Sequence, residues 1–285
     1  MKKTGRMITQ IAAVFLFLAG AALCGSPFYH EWKSEKNSQE QIAVFEEKKE
    51  EPEETLLAEM NAYNQKIYAE HQKDLKDAWS YEQGVFSLEA YNRPDSMIGV
   101  LKIQAMDVEL PLYLGANSKN MEQGAAVLGQ TSMPIGGINT NCVIAGHRGW
   151  KGIPMFRDIE LLQPGDEVLV ENLWETLRYQ VSEIRIILPD DIEAVKIQEG
   201  ADMLTLMTCH PYTDNTHRYV VYCKRVQEQE AEKRPETTET KPVVLPQSSQ
   251  QKIRREQFLG KAGFVLFVAG TILLTGDILL RRRRK

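Results

Sequence analysis

Two long apolar runs, one near each end of the chain, restrict the fold before anything else does. Lys2, Lys3 and Arg6 precede Met7–Leu23, which carries no charge and has only Thr9 and Gln10 as clearly polar members. At about 1.5 Å per residue, such a helix covers about 26 Å, the short end of what can cross a hydrocarbon layer of about 30 Å. An uncleaved anchor and a signal peptide both fit it. The anchor fits better, because Ala21-Ala22-Leu23-Cys24-Gly25-Ser26 offers a mediocre cleavage site, and Leu23 is bulky where lipidation of Cys24 wants a small residue. The second run, Ala262–Leu280, is interrupted only by Asp277 and closed by Arg281–Lys285. A basic cluster directly after an apolar span marks the cytoplasmic side, and Asp277, one turn away, reads as a partner of those arginines. The expectation is a membrane protein with both termini inside and residues 27–257 outside.

Charge is laid out unevenly over this frame. Residues 1–26 and 258–285 hold 9 of the 34 basic residues and one of the 39 acidic ones, leaving 25 basic against 38 acidic between them. A segment that acidic does not wrap a phosphate backbone, so nucleic acid is excluded as a partner. The four cysteines, at 24, 142, 209 and 223, form no C-x-x-C pair, which argues against a zinc ribbon, a thioredoxin-type motif or a disulfide scaffold. No cluster of carboxylates suggests a metal, and no cofactor is expected.

Composition divides the exterior part into three. Residues 27–92 are rich in Glu, Gln and Lys at helical spacing, with Ile42, Phe45, Leu56, Leu57, Met60, Tyr63 and Ile67 as an apolar stripe that Pro52 breaks into two helices. Residues 93–226 switch to short β-branched or aromatic runs: Met97–Ile103, Val108–Leu114, Cys142–Ala145, Glu167–Glu171, Thr176–Leu188, Met203–Thr208 and Arg218–Val226. Turn signals such as Pro134-Ile135-Gly136-Gly137 and Pro164-Gly165-Asp166 separate them, which predicts an antiparallel-rich barrel or sandwich. Thr176–Leu188 is long for one strand and is expected to carry a bulge. Residues 227–257, Glu, Gln, Thr, Pro and Ser with hardly an aromatic, read as a solvated stalk before the span and tail of 258–285. Within the stalk, Leu245-Pro246-Gln247-Ser248-Ser249, before an apolar span and a basic tail, is read as a proline-containing linker.

Three residues carry candidate chemistry. Cys209 ends the apolar strand Met203–Thr208, where a thiol can face a groove, provided a nearby cation or imidazole favours the thiolate. His147 lies between Gly146 and Arg148-Gly149, just past a strand, as a candidate acid and base. Arg218 enters the next strand with a permanent charge able to hold developing negative charge on a carbonyl oxygen. Taken one at a time, each has a bland alternative: a core thiol, a structural imidazole, a solvated guanidinium.

Together the residues resemble a known family. Thr205-Leu206-Met207-Thr208-Cys209 looks like the Thr-Leu-x-Thr-Cys signature of sortases, the cysteine transpeptidases of the Gram-positive cell surface, and the order His147, Cys209, Arg218 agrees with theirs. Thr131–Gly137, Asn139-Thr140, Ala145–Gly149 and Asn215–Arg218 resemble the class C, pilin-polymerising branch, as does a helical extension with a second span after the catalytic domain. The resemblance implies a mainly β fold, an eight-stranded sortase barrel flanked by transmembrane helices. It implies that Cys209 attacks the Thr carbonyl of a Leu-Pro-x-Thr-Gly-like sorting signal, that His147 shuttles the proton, and that Arg218 stabilises the oxyanion and substrate. The acceptor implied is a Lys of another pilin subunit, with a cell-wall precursor amine (class B or housekeeping enzymes) as the alternative. A membrane-tethered structural or binding protein is the non-enzymatic rival. Class C members also carry a lid of Asp-Pro-aromatic, and Asp77-Ala78-Trp79 stands in a comparable place, Ala78 departing from the usual Pro. Such a lid implies a carboxylate on Arg218 and an indole over Cys209. The run Leu245–Ser249, with the span and basic tail after it, imitates a sorting signal with Ser in place of both Thr and Gly, a self-substrate being the alternative to a linker. Cys142 and Cys223 are expected to be buried thiols, with a disulfide between them as the alternative. His210 and His217, adjoining Cys209 and Arg218, are expected to point away from them.

Overall fold

The computed structural model describes residues 18, 25, 29–47, 49, 54–81, 86–88, 91, 96–150, 153–226 and 249–283. The chain forms two compact units, Ser34–Gln247 and the pair of segments Met1–Lys33 and Ser248–Lys285.

In the larger unit, residues 34–47 form helix α1 and Glu54–Ala69 form α2. The break expected at Pro52 falls between them, Pro52 itself lying outside the described residues. Helix α2 buries Leu56, Met60, Asn64 and Ile67, the three-to-four spacing of one helical face. Leu56 and Met60 join the main core with Phe45, while Ile42, Leu57 and Tyr63 pack against it half-buried. Each such side chain taken out of water contributes about 1.5–3 kcal/mol.

Eight strands follow: β1 (Met97–Ile103), β2 (Val108–Leu114), β3 (Ala125–Val127), β4 (Thr140–Ala145), β5 (Glu167–Asn172), β6 (Thr176–Ile187), β7 (Asp202–His210) and β8 (His217–Arg225). They close into a barrel in the order β1-β2-β3-β4-β7-β8-β6-β5. The expected barrel is therefore present, antiparallel except at β2–β3 and β4–β7. A parallel neighbour needs a crossover, and α3 (Ser118–Gln123) lies on the first of these. The strand that periodicity misses is β3, whose three residues Ala125-Ala126-Val127 are too few to alternate. The register of β6 against β8 slips between Val181 and Glu183, the bulge expected of so long a strand.

Cys142 pairs with Leu204, which pairs with Cys223 across the next ladder. Two strand spacings of about 4.8 Å separate the thiols, too far for a bridge whose Cα atoms lie within about 7 Å. Both are free and buried, and burial pushes both thiols far above their ordinary range.

In the smaller unit, α4 runs from Gln250 to Arg283. It begins inside the segment read as stalk, because Gln250–Gln257 contains only good helix formers and no Gly or Pro. Among the described residues no helix is long and apolar enough to cross a membrane. Met7–Leu23 falls outside them apart from Leu18. Ala262–Leu280 lies within α4, with most of its side chains outside the description.

Candidate active site

The geometry of the site follows from strand alternation. Along β7, Met203, Thr205, Met207 and Cys209 share one face. Met203 and Met207 pack there with Val143 and Ala145 of β4, and with Val220 and Tyr222 of β8. Cys209 is paired directly with Arg218 across the β7–β8 ladder, so their Cα atoms lie about 4.5–5.5 Å apart and their side chains leave on the same side. On the other flank, β4 runs parallel to β7 with Ala145 against Met207. Gly146 extends this ladder: its N–H donates to Met207 O (3.1 Å), and its carbonyl accepts from Thr208 Oγ1 (2.7 Å). His147 is thereby delivered abreast of Cys209. Both threonines of the Thr-Leu-x-Thr-Cys run tie β7 to β4, since Thr205 Oγ1 bonds Asn141 Oδ1 at 2.8 Å. Gly146 has a steric reason as well: a Cβ there would sit 2.9 Å from the buried Phe156 ring.

The segment after α2 reaches this face through polar ties. Asn64 Oδ1 accepts from Met133 N at 2.7 Å, and Gln72 bonds Gln130 O at 2.8 Å and Ile197 N at 2.7 Å. Leu75 and Ala78 then bury themselves among the outer-face residues of β4, β7 and β8. Asp77 grips Arg218 with both oxygens, Nε to Oδ1 at 2.8 Å and Nη2 to Oδ2 at 2.9 Å. The same carboxylate caps the 3-10 turn Ala78–Ser80 by accepting from Trp79 N at 3.1 Å. The Trp79 ring lies 4.6 Å from the Arg218 guanidinium carbon and 6.5 Å from the His147 ring. Charge-assisted bonds and a cation–π contact of this kind are each worth roughly 1–3 kcal/mol. Together they hold the Asp77–Trp79 segment against Arg218.

His147 is held on its other side by Trp150, stacked at 4.5 Å with the rings 13° apart. Trp150 is fixed in turn by two backbone hydrogen bonds exchanged with Ile153, at 2.9 and 2.8 Å. Burial lowers the His147 pKa, opposed by the Glu122 carboxylate on α3. Burial pushes the Cys209 thiol up to about 11; Arg218 and Arg148 pull it down and Asp77 pushes it up. Burial thus favours the neutral forms of both the Cys209 thiol and the His147 imidazole. His210 points to the opposite face, where its Nδ1 meets Arg148 Nη1 at 2.7 Å, while His217 Nδ1 contacts Thr216 Oγ1 at 2.9 Å. Among the described residues no group of three or more His, Cys, Asp or Glu is placed to hold a metal.

A family model described as the sortase domain matches residues 101–226. Sortase A of Bacillus anthracis is 29% identical over 216 residues, 75% of this chain and 92% of that protein. Among solved structures, Streptococcus pneumoniae sortase C is 33% identical with a TM-score of 0.58, covering 66% of this chain and 97% of that one. The chain belongs to the sortase family. It is accordingly a cysteine transpeptidase. A further sortase structure, sortase C1 of GBS pilus island 1, matches with 31% identity and a TM-score of 0.60, over 67% of this chain and 98% of the other.

Several residues around the sortase site carry no signal in the sequence. Trp150 is one aromatic in a loop until the turn lays it on His147. Tyr81, in the left-handed conformation (φ 55°) that ends the Ala78–Ser80 turn, is close enough to Cys209 for the thiolate to raise its pKa, burial being the larger cause. Glu160, twelve positions after Arg148, becomes its partner only in the fold.

Proposed function

We propose that Cys209 is the nucleophile, His147 the general acid and base, and Arg218 the oxyanion- and substrate-stabilising group of a class C sortase that polymerises pilins. The observation that carries this reading is the convergence of the three side chains on one barrel face, with Asp77 occupying Arg218 and Trp79 beside His147. Cys209 Sγ attacks the Thr carbonyl of a Leu-Pro-x-Thr-Gly-like signal, its proton passing to His147 Nε2 or Nδ1. The tetrahedral oxyanion is held by the Arg218 fork. Collapse breaks the Thr–Gly bond, His147 returns the proton to the leaving Gly amine, and a thioacyl-enzyme remains. A Lys amine of another pilin then loses its proton to His147, attacks the thioester and releases Cys209, leaving an isopeptide bond. The pilus assignment is supported by solved neighbours named as sortase C and, for one, as belonging to a pilus island. A cell-wall precursor amine is the alternative acceptor. The apolar runs Met7–Leu23 and Ala262–Leu280 support a membrane location, with the barrel outside and both termini in the cytoplasm.

The test is cleavage of a fluorogenic Leu-Pro-x-Thr-Gly peptide by the full-length chain. Wild type is expected to cleave it, and Cys209→Ala to lose the activity; cleavage that survives Cys209→Ala overturns the assignment. Mass spectrometry of the product formed with a pilin acceptor then distinguishes a Lys crosslink from a wall-precursor adduct.

Asp77-Ala78-Trp79 acts in this reading as a lid. Asp77→Ala removes an anion that disfavours the thiolate, so the Cys209 pKa falls. One pKa unit is a factor of ten in thiolate, so labelling of Cys209 by iodoacetamide at pH 7 is expected to rise about tenfold or more. Trp79→Ala raises it too, by admitting water. An unchanged labelling rate in both variants removes the lid.

A further inference from the structure

The residues that follow the two reacting side chains meet on the opposite face of the same strands. Arg148 follows His147 and His210 follows Cys209, and alternation turns both away from the cleft. There Arg148 Nη1 donates to His210 Nδ1 at 2.7 Å and approaches the Cys209 carbonyl at 3.4 Å. A guanidinium only donates, so His210 accepts through Nδ1 and is the neutral tautomer protonated on Nε2. Burial and the adjacent Arg148 charge both lower its pKa, in agreement with that tautomer. Arg148 Nη2 closes the other side onto Oε1 of Glu160, the middle residue of the 3-10 turn Ile159–Leu161, and that oxygen lies 3.6 Å from His210 Nδ1. The side chains of Arg148 and Glu160 are only 2% and 3% exposed, and the Tyr219 ring lies 5.6 Å from the guanidinium carbon.

A buried, nearly dry ion pair is a poor stabiliser compared with apolar packing of the same volume, so net stability does not account for it. What it supplies is a directional bond between two backbones. We propose that Glu160, Arg148 and His210 form a buried strut that sets the separation of His147 and Cys209, making these three positioning residues for the transpeptidation. The proposal rests on the assignment of Cys209 and His147 as the reacting pair. The strut spans the β4–β7 seam just beyond Ala145 and Met207, the last residues paired in that ladder. Beyond that point Gly146 supplies its two bonds to β7, and the strut restrains the strand ends where the chemistry needs them steady.

The test uses the full-length chain and separates rate from fold. His210→Leu removes the acceptor for Arg148, whereas His210→Asn keeps one. The double substitution Arg148→Met with Glu160→Leu removes the ion pair without leaving a lone buried charge. Misplacement of reacting groups by about 1 Å costs on the order of 10²-fold. His210→Leu and the double variant are therefore expected to lose about that factor in kcat, with KM unchanged, and His210→Asn to recover most of it. A folded His210→Leu or double variant with wild-type kcat overturns the strut. Should both fail to fold, His210→Gln against His210→Asn decides: the extra methylene displaces the acceptor, so Gln is expected to be slower, and equal kcat values overturn the proposal. Cys209→Ala is assayed alongside. Residual cleavage there sinks the catalytic assignment itself, whereas a dead Cys209→Ala beside a fully active His210→Leu sinks the strut alone.

Discussion

Arg218→Ala is expected to lower kcat/KM for peptide cleavage by on the order of 10²–10³-fold, the usual cost of losing one preorganised oxyanion donor. The structure explains why Lys is a poor replacement. Arg218 uses two nitrogens of its planar fork on the Asp77 carboxylate while Nη1 is anchored to Asn215 O at 3.1 Å and His217 O at 3.0 Å. These anchors fix the plane of the fork before any substrate arrives. An ammonium is a point charge on a flexible stem and reproduces neither the fork nor the anchoring. Arg218→Lys is therefore expected to recover little of the loss, measured as kcat/KM under single-substrate conditions. Turnover near wild type in Arg218→Ala would leave the oxyanion to other donors. The guanidinium also lowers the Cys209 pKa, so the pH at which labelling reaches half its maximum is expected to move upward in Arg218→Ala.

The second large effect concerns stability. Glu160→Ala leaves Arg148 buried and without its counter-charge, a change that costs about 3–5 kcal/mol in comparable buried pairs. For a domain of this size that corresponds to a fall in melting temperature of roughly 6–20 °C, read by thermal unfolding of the full-length chain. The paired substitution Arg148→Met with Glu160→Leu is expected to restore most of that fall, because no lone charge remains. A Glu160→Ala variant melting like wild type would mean that water reaches the guanidinium. Stability and rate are thus expected to separate: the single change lowers the melting temperature, and the double change restores it while slowing the reaction.

Where the sequence is informative here, the signal is local. Short β-branched and aromatic runs, with turn residues between most of them, place seven strands to within two residues of their observed ends; β5 and β6 alternate buried and exposed residues, whereas β1, β4, β7 and β8 are buried along nearly their whole length. The candidate nucleophile Cys209 is legible because Met203–Thr208 is an apolar strand that leads into a thiol. The three-residue β3 is illegible because it is too short to show a period, and it is held by pairing on both sides. The start of α4 at Gln250 was hidden by composition: charged and amide residues serve a solvated helix as well as a stalk.

By itself, then, the sequence determined the strands, the chemistry available at their ends and the family that uses it, since those depend on residue type and on spacings of a few positions. The resemblance already pointed to Asp77 on Arg218, 141 positions away; the tertiary structure alone decided the other pairings on which the site depends, Cys209 opposite Arg218 and Arg148 bonded to His210 from 62 positions away. Closing the barrel sets which strands are neighbours and in what register. A shift of one residue in that register would turn every one of these side chains to the other face.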